Sequence, residues 1–252
     1  MRTGATPPPN RFTTEVPLYL QIAEGLLSRI EAGELSPGDR LAPERDLSKE
    51  LGVNRMTLRR ALGMLELRGL IVRRQGDGTY IAQPKIERQA SSLVPFTSGM
   101  QRQGYSPDSK IIMFERRLAQ ASIARDLSIT VGATVYFIHR LRLVNQEPLL
   151  LERFVLPAQL MPDFERFDLA VRSLYEVMET EYGILVNRAR QSLEPVIATE
   201  YEAELLGIMP GAPLMLERRL TFDQTDCPVE YGRDLYRGDR FRFVTEVAPL
   251  ER

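Results

Sequence analysis

The stretch from Pro43 to Ala82, PERDLSKELGVNRMTLRRALGMLELRGLIVRRQGDGTYIA, leaves little freedom in how it folds. Pro43 suits the first position of a helix, Leu47 and Leu51 supply an apolar stripe, and Gly52 is placed to end that helix in a left-handed conformation. Asn54 is placed to cap a second helix. That helix keeps Leu58, Ala61, Leu62 and Leu65 at the i, i+3, i+4, i+7 spacing of a buried face, and Gly69 stops it. The other face opens with Asn54, Arg55, Thr57, Arg59 and Arg60. Ile71 to Arg74 and Thr79 to Ala82 flank Gln75-Gly76-Asp77-Gly78, a turn-rich centre that predicts a β-hairpin. Two short helices, a tight turn and cations crowded at the start of the second match a winged helix-turn-helix whose recognition helix enters the major groove.

The net charge of −1 over 252 residues hides how charge is distributed. Residues 1–84 carry 12 Lys and Arg against 10 Asp and Glu. Within 54–74 there are six arginines and one acid, Glu66, so the basic charge is concentrated on the proposed reading head, as attraction to phosphates requires. One cysteine, Cys227, and one histidine, His139, exclude an intramolecular disulfide and predict neither a metal site nor a cofactor. No apolar run approaches a membrane span and no signal peptide follows Met1, so the expected location is the cytoplasm, with no membrane partner.

Residues 1–15, with three consecutive prolines, read as a flexible arm. A helix carrying Tyr19, Ile22, Ala23, Leu26, Leu27 and Ile30 follows and closes at Gly33, so residues 16–82 form the first domain. The polar segment 83–93 reads as the linker. Residues 94–252 then alternate strands rich in Val, Ile, Leu, Phe and Tyr with helices at Ser122 to Leu127, Ser173 to Tyr182 and Thr199 to Leu206. The expectation is an α+β domain with a mostly antiparallel sheet. Leu127, Ile129, Gly132, Ala133 and Arg140 recur 79 residues later as Leu206, Ile208, Gly211, Ala212 and Arg219, which suggests two related halves around one sheet and a shared crevice.

Arg140 and Arg142 are two apart on a predicted strand and share a face. If Asn145 to Glu147 is the hairpin turn, Glu152 falls opposite Arg140. That pattern fits either a cross-strand ion pair or a fork of guanidinium donors for a phosphate or carboxylate. His139 should face away from Arg140, as a packed or surface residue, and Cys227 reads as incidental.

These residues together resemble the GntR family of transcription regulators, HutC subfamily. The first 82 residues are similar to its winged helix-turn-helix through Pro17-Leu18-Tyr19, Pro37-Gly38-Asp39-Arg40-Leu41, Pro43-Glu44-Arg45-Asp46-Leu47 and Arg55-Met56-Thr57-Leu58-Arg59. The remainder resembles the effector-binding UTRA domain, of chorismate-lyase-like fold. Its marks are the run SSLVPFTSGMQRQG over 91–104, His139-Arg140-Leu141-Arg142, Glu147-Pro148-Leu149 with Glu152, Ser173-Leu174-Tyr175, and Pro228-Val229-Glu230-Tyr231-Gly232. Ala42-Pro43 departs from the usual Pro-Ser of the family, which removes a hydroxyl cap worth about 1 kcal/mol.

The resemblance implies DNA contacts at Arg45, Arg55, Thr57, Arg59 and Gly76, with Asn54 at the head of the reading helix and one of Arg73 and Arg74 facing outward from the wing. Base reading falls to Arg55 or Arg59, since a guanidinium forks onto guanine O6 and N7. It further implies an effector site of Phe96, Thr97, Arg140, Arg142, Glu152, Ser173, Glu230 and Tyr236. There Thr97, Ser173 and the arginines would hold an anion, with Phe96 offering a backbone amide, and Glu152, Glu230 and Tyr236 would take hydroxyls. The expectation is a homodimeric repressor on a pseudo-palindromic operator in double-stranded DNA, released by a small anionic effector, first a sugar phosphate or amino-sugar phosphate. An activator of the same architecture, or an enzyme acting on a small acid, are the rival readings. Against the enzyme, the sequence has no Ser-His-Asp order, no zinc spacing, no glycine-rich phosphate loop and no residue read as catalytic.

Overall fold

The computed structural model describes residues 16–74 and 76–247, which form two compact units dividing after Pro84. The arm expected over 1–15, Gln75 and the side chain of Arg74 lie outside what is described. Among the described residues no helix is long and apolar enough to cross a membrane.

The first unit contains α1 (Leu18–Glu31), α2 (Glu44–Glu50), α3 (Arg55–Leu67), β1 (Ile71–Arg74) and β2 (Gly78–Ile81). Ile22, Ala23 and Leu26 of α1, Leu47 of α2, and Leu58, Ala61, Leu62 and Leu65 of α3 close one core with Ile71 and Ile81 of the wing. Asn54 caps α3, its side-chain oxygen accepting from the Thr57 amide at 2.8 Å. Pro43 stands one residue before α2 rather than at its first position, with extended ψ of 141°. Gly52 and Gly69 leave the two helices at φ +65° and +69°, a region that side-chain-bearing residues avoid.

The second unit is built on a six-stranded antiparallel sheet in the order β4 (Pro107–Leu118), β5 (Thr134–Val144), β6 (Glu147–Pro157), β9 (Pro228–Arg237), β8 (Pro213–Asp223), β7 (Val186–Ile197). The helices α5 (Ala121–Asp126), α6 (Leu174–Tyr182) and α7 (Glu200–Leu206) occupy the connections. Asn145 and Gln146, both at positive φ, form the two-residue β5–β6 turn, a conformation whose twist suits a hairpin. That turn pairs Arg140 with Glu152, as the sequence spacing required.

The 79-residue repeat is the plan of this unit. β4, α5 and β5 recur at that offset as β7, α7 and β8, and β6 and β9 meet at the centre as Leu150–Tyr236, Glu152–Asp234 and Phe154–Gly232. The halves are thus related by a pseudo-two-fold axis between β6 and β9.

Two elements escaped the sequence reading. The segment read as linker contains β3 (Ile86–Gln89), which pairs in parallel with β10 (Phe241–Val244), so this part of 83–93 belongs to the second fold. Ile86 and Phe241 are buried there with Phe96 and Met100 of α4 (Phe96–Arg102), a helix too short for its apolar period to register.

His139 is packed rather than superficial. It is 4% exposed on the sheet face opposite Arg140, with its ring 6.3 Å from that of Tyr201 on α7. Burial, then the charge of Arg153, lowers its pKa to about 4, against a weaker pull from Glu202. Because the folded pKa lies below the unfolded one, the fold's preference for neutral imidazole is fully present above pH 6.5 and lost as pH falls towards 4. His139→Phe should therefore flatten the decline of unfolding free energy across that window, by about 3 kcal/mol at its acid end. Urea melts at closely spaced pH values would measure it.

Candidate functional site

In the first unit, Asn54, Arg55, Thr57 and Arg59 share the start of α3. Their availability differs. Asn54 is occupied by its cap, accepting from both the Thr57 amide and its hydroxyl. Arg59 is paired with Glu44 at 2.7 Å, Arg45 with Asp46 at 3.0 Å and Arg73 with Glu66 at 3.3 Å. All are exposed pairs, worth little in water and readily exchanged for a phosphate. Arg55 is exposed and forms no ion pair among the described residues, whereas Arg60 lies over the Tyr19 ring at 3.9 Å as part of the fold. Gly76 turns the wing at φ +75°. Arg40, which sequence reasoning passed over, donates to the Asp77 carbonyl and fastens the wing; a Cβ at Gly78 would stand 2.8 Å from its Nε.

The second unit holds a partly open pocket on the charged face of its sheet. Phe96, Thr97, Arg140, Arg142, Glu152, Ser173 and Glu230 all line it. Strand alternation brings the charged residues inward from β5, β6, β8 and β9.

Arg140 donates to Glu152 through Nε at 3.0 Å and to the Leu169 carbonyl at 2.9 Å. Arg142 donates to Ser109 Oγ and Thr97 Oγ1, both at 2.7 Å, and its plane covers the Phe96 ring at 4.5 Å. Its Nε is buried, makes no hydrogen bond, and faces the Glu152 carboxylate at 3.7 Å. Glu152 is almost wholly buried, which would raise its pKa, but Arg140 and Arg142 outweigh this and hold it ionised. Ser173 stands at the N-cap of α6 without a side-chain cap bond, and it lines the same space with Leu174 and Tyr175.

Two expected site residues are placed differently from what a hydroxyl-binding role needs. Tyr236 is 1% exposed and packs against Phe241 and Phe243 beneath the cavity rather than in its lining. Glu230 does line it, but its carboxylate is engaged: Oε1 accepts from Arg219 at 2.9 Å, and Oε2 from Tyr175 and Thr221 at 2.7 Å each.

Several lining residues were missed. Arg219 binds Glu217 at 3.2 Å, Asp234 at 3.1 Å and Glu230 at 2.9 Å, and is the repeat equivalent of Arg140, a signal already present in the sequence. Tyr175, two residues beyond Ser173, is pushed up in pKa by burial and stays a hydrogen donor. Arg88 was concealed in the segment read as linker, and Asp234, Glu217 and Gln191 carried no local motif.

A basic helix-turn-helix followed by a sheet domain with a charged pocket defines the class of DNA-binding regulators with an effector module. Comparison with known proteins agrees: residues 18–81 match the gntR family of bacterial regulatory proteins, and 102–242 match the UTRA domain. The chain is a GntR-family transcriptional regulator of the HutC type. It is 36% identical over 229 residues to the HTH-type transcriptional repressor NagR of Bacillus subtilis, covering 91% of this chain and 94% of that protein. It is 30% identical to the mannosyl-D-glycerate transport/metabolism system repressor MngR of Escherichia coli, over 90% and 95% of the two chains. The crystal structure of PhnF from Mycobacterium smegmatis superposes with a TM-score of 0.65 at 30% identity, covering 90% of this chain and 99% of that one.

Gly232 gives the site a structural test. A Cβ there would stand 3.1 Å from Arg219 Nη2 and 3.2 Å from Glu230 Oε1. Gly232→Val should displace Arg219 from its carboxylates and cost about 2–4 kcal/mol in denaturant unfolding, more than the same change at an exposed strand position.

Proposed function

We propose that the protein is a homodimeric repressor, acting in the cytoplasm, that leaves a pseudo-palindromic operator when a small anionic metabolite enters the second unit. The observation that carries the reading is Arg142: a buried guanidinium held by Thr97 and Ser109, in the lining of a pocket that Arg140, Thr97 and Ser173 share. An anion completes that donor set, and planar guanidinium forks suit phosphate and carboxylate. A phosphorylated sugar or amino sugar fits the mixture of anion donors and hydroxyl partners. The relatives named as repressors support the sign of regulation, and a two-fold dimer would present two recognition helices to two half-sites.

Release requires that the ligand favour one arrangement of the reading heads over another. A coupling of about 1–3 kcal/mol changes operator affinity some 5- to 150-fold. A thermal-shift panel of sugar phosphates and small carboxylates, followed by operator binding in the presence of each hit, tests the reading; a stabilising ligand that leaves operator affinity unchanged would count against it.

Arg55, exposed and without an ion pair among the described residues, is assigned the leading base-reading role, with Arg59 second. Arg55→Ala should weaken specific operator binding by about 10- to 100-fold while leaving thermal stability within a degree or two, as measured by fluorescence anisotropy and melting. Arg140→Ala combined with Arg142→Ala should retain operator binding and lose release by effector, read in the same anisotropy assay.

A further inference from the structure

The first turn of the reading helix presents a large apolar side chain to solvent. Met56, the second residue of α3, is 72% exposed and joins no part of the apolar core of the first unit. At roughly 100° per residue it stands about 200° round the helix from the buried Leu58, so it points away from the core. Arg59 and Arg60, three and four residues on, are its neighbours on that outward face, and Arg55 precedes it. Helical side chains lean towards the N-terminus, so Met56 leans towards the end of the helix that enters the major groove in a helix-turn-helix.

The composition of that turn does not serve the helix. The N-terminal end of a helix favours acidic side chains, and α2 has Glu44 and Asp46 there, as α7 has Glu200 and Glu202. The first turn of α3 has none, and it begins with Arg55. Nor does Met56 gain anything from burial within the unit. A single exposed methionine is ordinary on a protein surface. One set among arginines, in a turn that departs from the helix-end preference, is matched instead to something outside the chain. In the major groove the apolar group that a base edge offers is the C5 methyl of thymine. An unbranched thioether with three rotatable bonds is suited to cover it.

We propose that Met56 is a specificity-determining residue that packs on a thymine methyl in each half-site, beside the base read by Arg55 or Arg59. The proposal rests on the reading of α3 as the base-reading helix. Forked hydrogen bonds to guanine then gain an apolar neighbour that marks thymine at an adjoining pair. Uracil pairs as thymine does and lacks only that methyl, so the contact can be deleted from the DNA side alone.

Selection from randomised duplexes with the full-length protein supplies the half-site, and deoxyuridine then replaces each thymine in turn. In fluorescence anisotropy one position per half-site should weaken wild-type binding about fourfold, and the same change in both half-sites about 15-fold. Met56→Ala should lose this penalty, its affinities for the thymine and uracil duplexes agreeing within about twofold. Met56→Leu, which keeps the apolar volume, should retain the penalty. Because Met56 is exposed, both variants should melt within about a degree or two of the wild type. A wild type indifferent to uracil at every position, a selected half-site without thymine, or a penalty that persists in Met56→Ala overturns the thymine contact, and the reading of α3 still stands if Arg55→Ala weakens binding. Arg55→Ala and Met56→Ala both binding the selected duplex as the wild type does overturns the reading of α3 and the contact with it. Selection that enriches no sequence overturns both.

Discussion

The in-register row Arg140–Glu152–Asp234–Glu217 is the constraint on which the second unit turns. A sheet that buries charges on one face has to neutralise them within that face, because the energetic cost of an unpaired buried ion exceeds what a single packing contact returns. Here Glu152 is shared between Arg140 and Arg142, and Arg219 is shared among three acids. Removing one member leaves a buried partner with fewer contacts.

The DNA-reading unit follows the opposite logic. Its charges are outside, each exposed pair is weak, and the fold depends on the apolar seam of α1, α2 and α3. Arginines on one short helix nonetheless separate into different tasks: Arg60 covers Tyr19 and belongs to the structure, Arg59 is loosely tied to Glu44, and Arg55 is exposed, with no ion pair among the described residues. Counting arginines overstates the reading surface, and the neighbours of each one decide its role.

How much could be read beforehand follows from the range of the signal. Helical spacing in α1 and α3, glycines at helix ends and strand alternation are local, so the winged helix-turn-helix and the Arg140–Glu152 pairing were legible from spacing and turn chemistry alone. β3 was not, since its polar residues are held by β10 more than 150 positions away and its buried Ile86 is a single apolar mark. Arg88 was lost with it. Asp234 and Glu217 lack any motif; only the pairing of β8 with β9 makes them neighbours. Tyr236 shows the converse, a polar aromatic that the family resemblance assigned to the effector site while Phe241 and Phe243 hold it in the core.

The pseudo-two-fold axis has a consequence for how such a receptor changes over time. Arg140 and Arg142 belong to the first half of the repeat, and Glu217 and Asp234 to the second, at positions where their counterparts are Ile138 and Phe154. Both halves carry both signs: Arg140, Arg142 and Glu152 come from the first, and Arg219, Glu217, Glu230 and Asp234 from the second. Because each half supplies its own set of charges, a substitution in one half alters the chamber while the other half's residues stay as they are. A regulator on this plan can acquire a new signal by altering one half while the other keeps its hold.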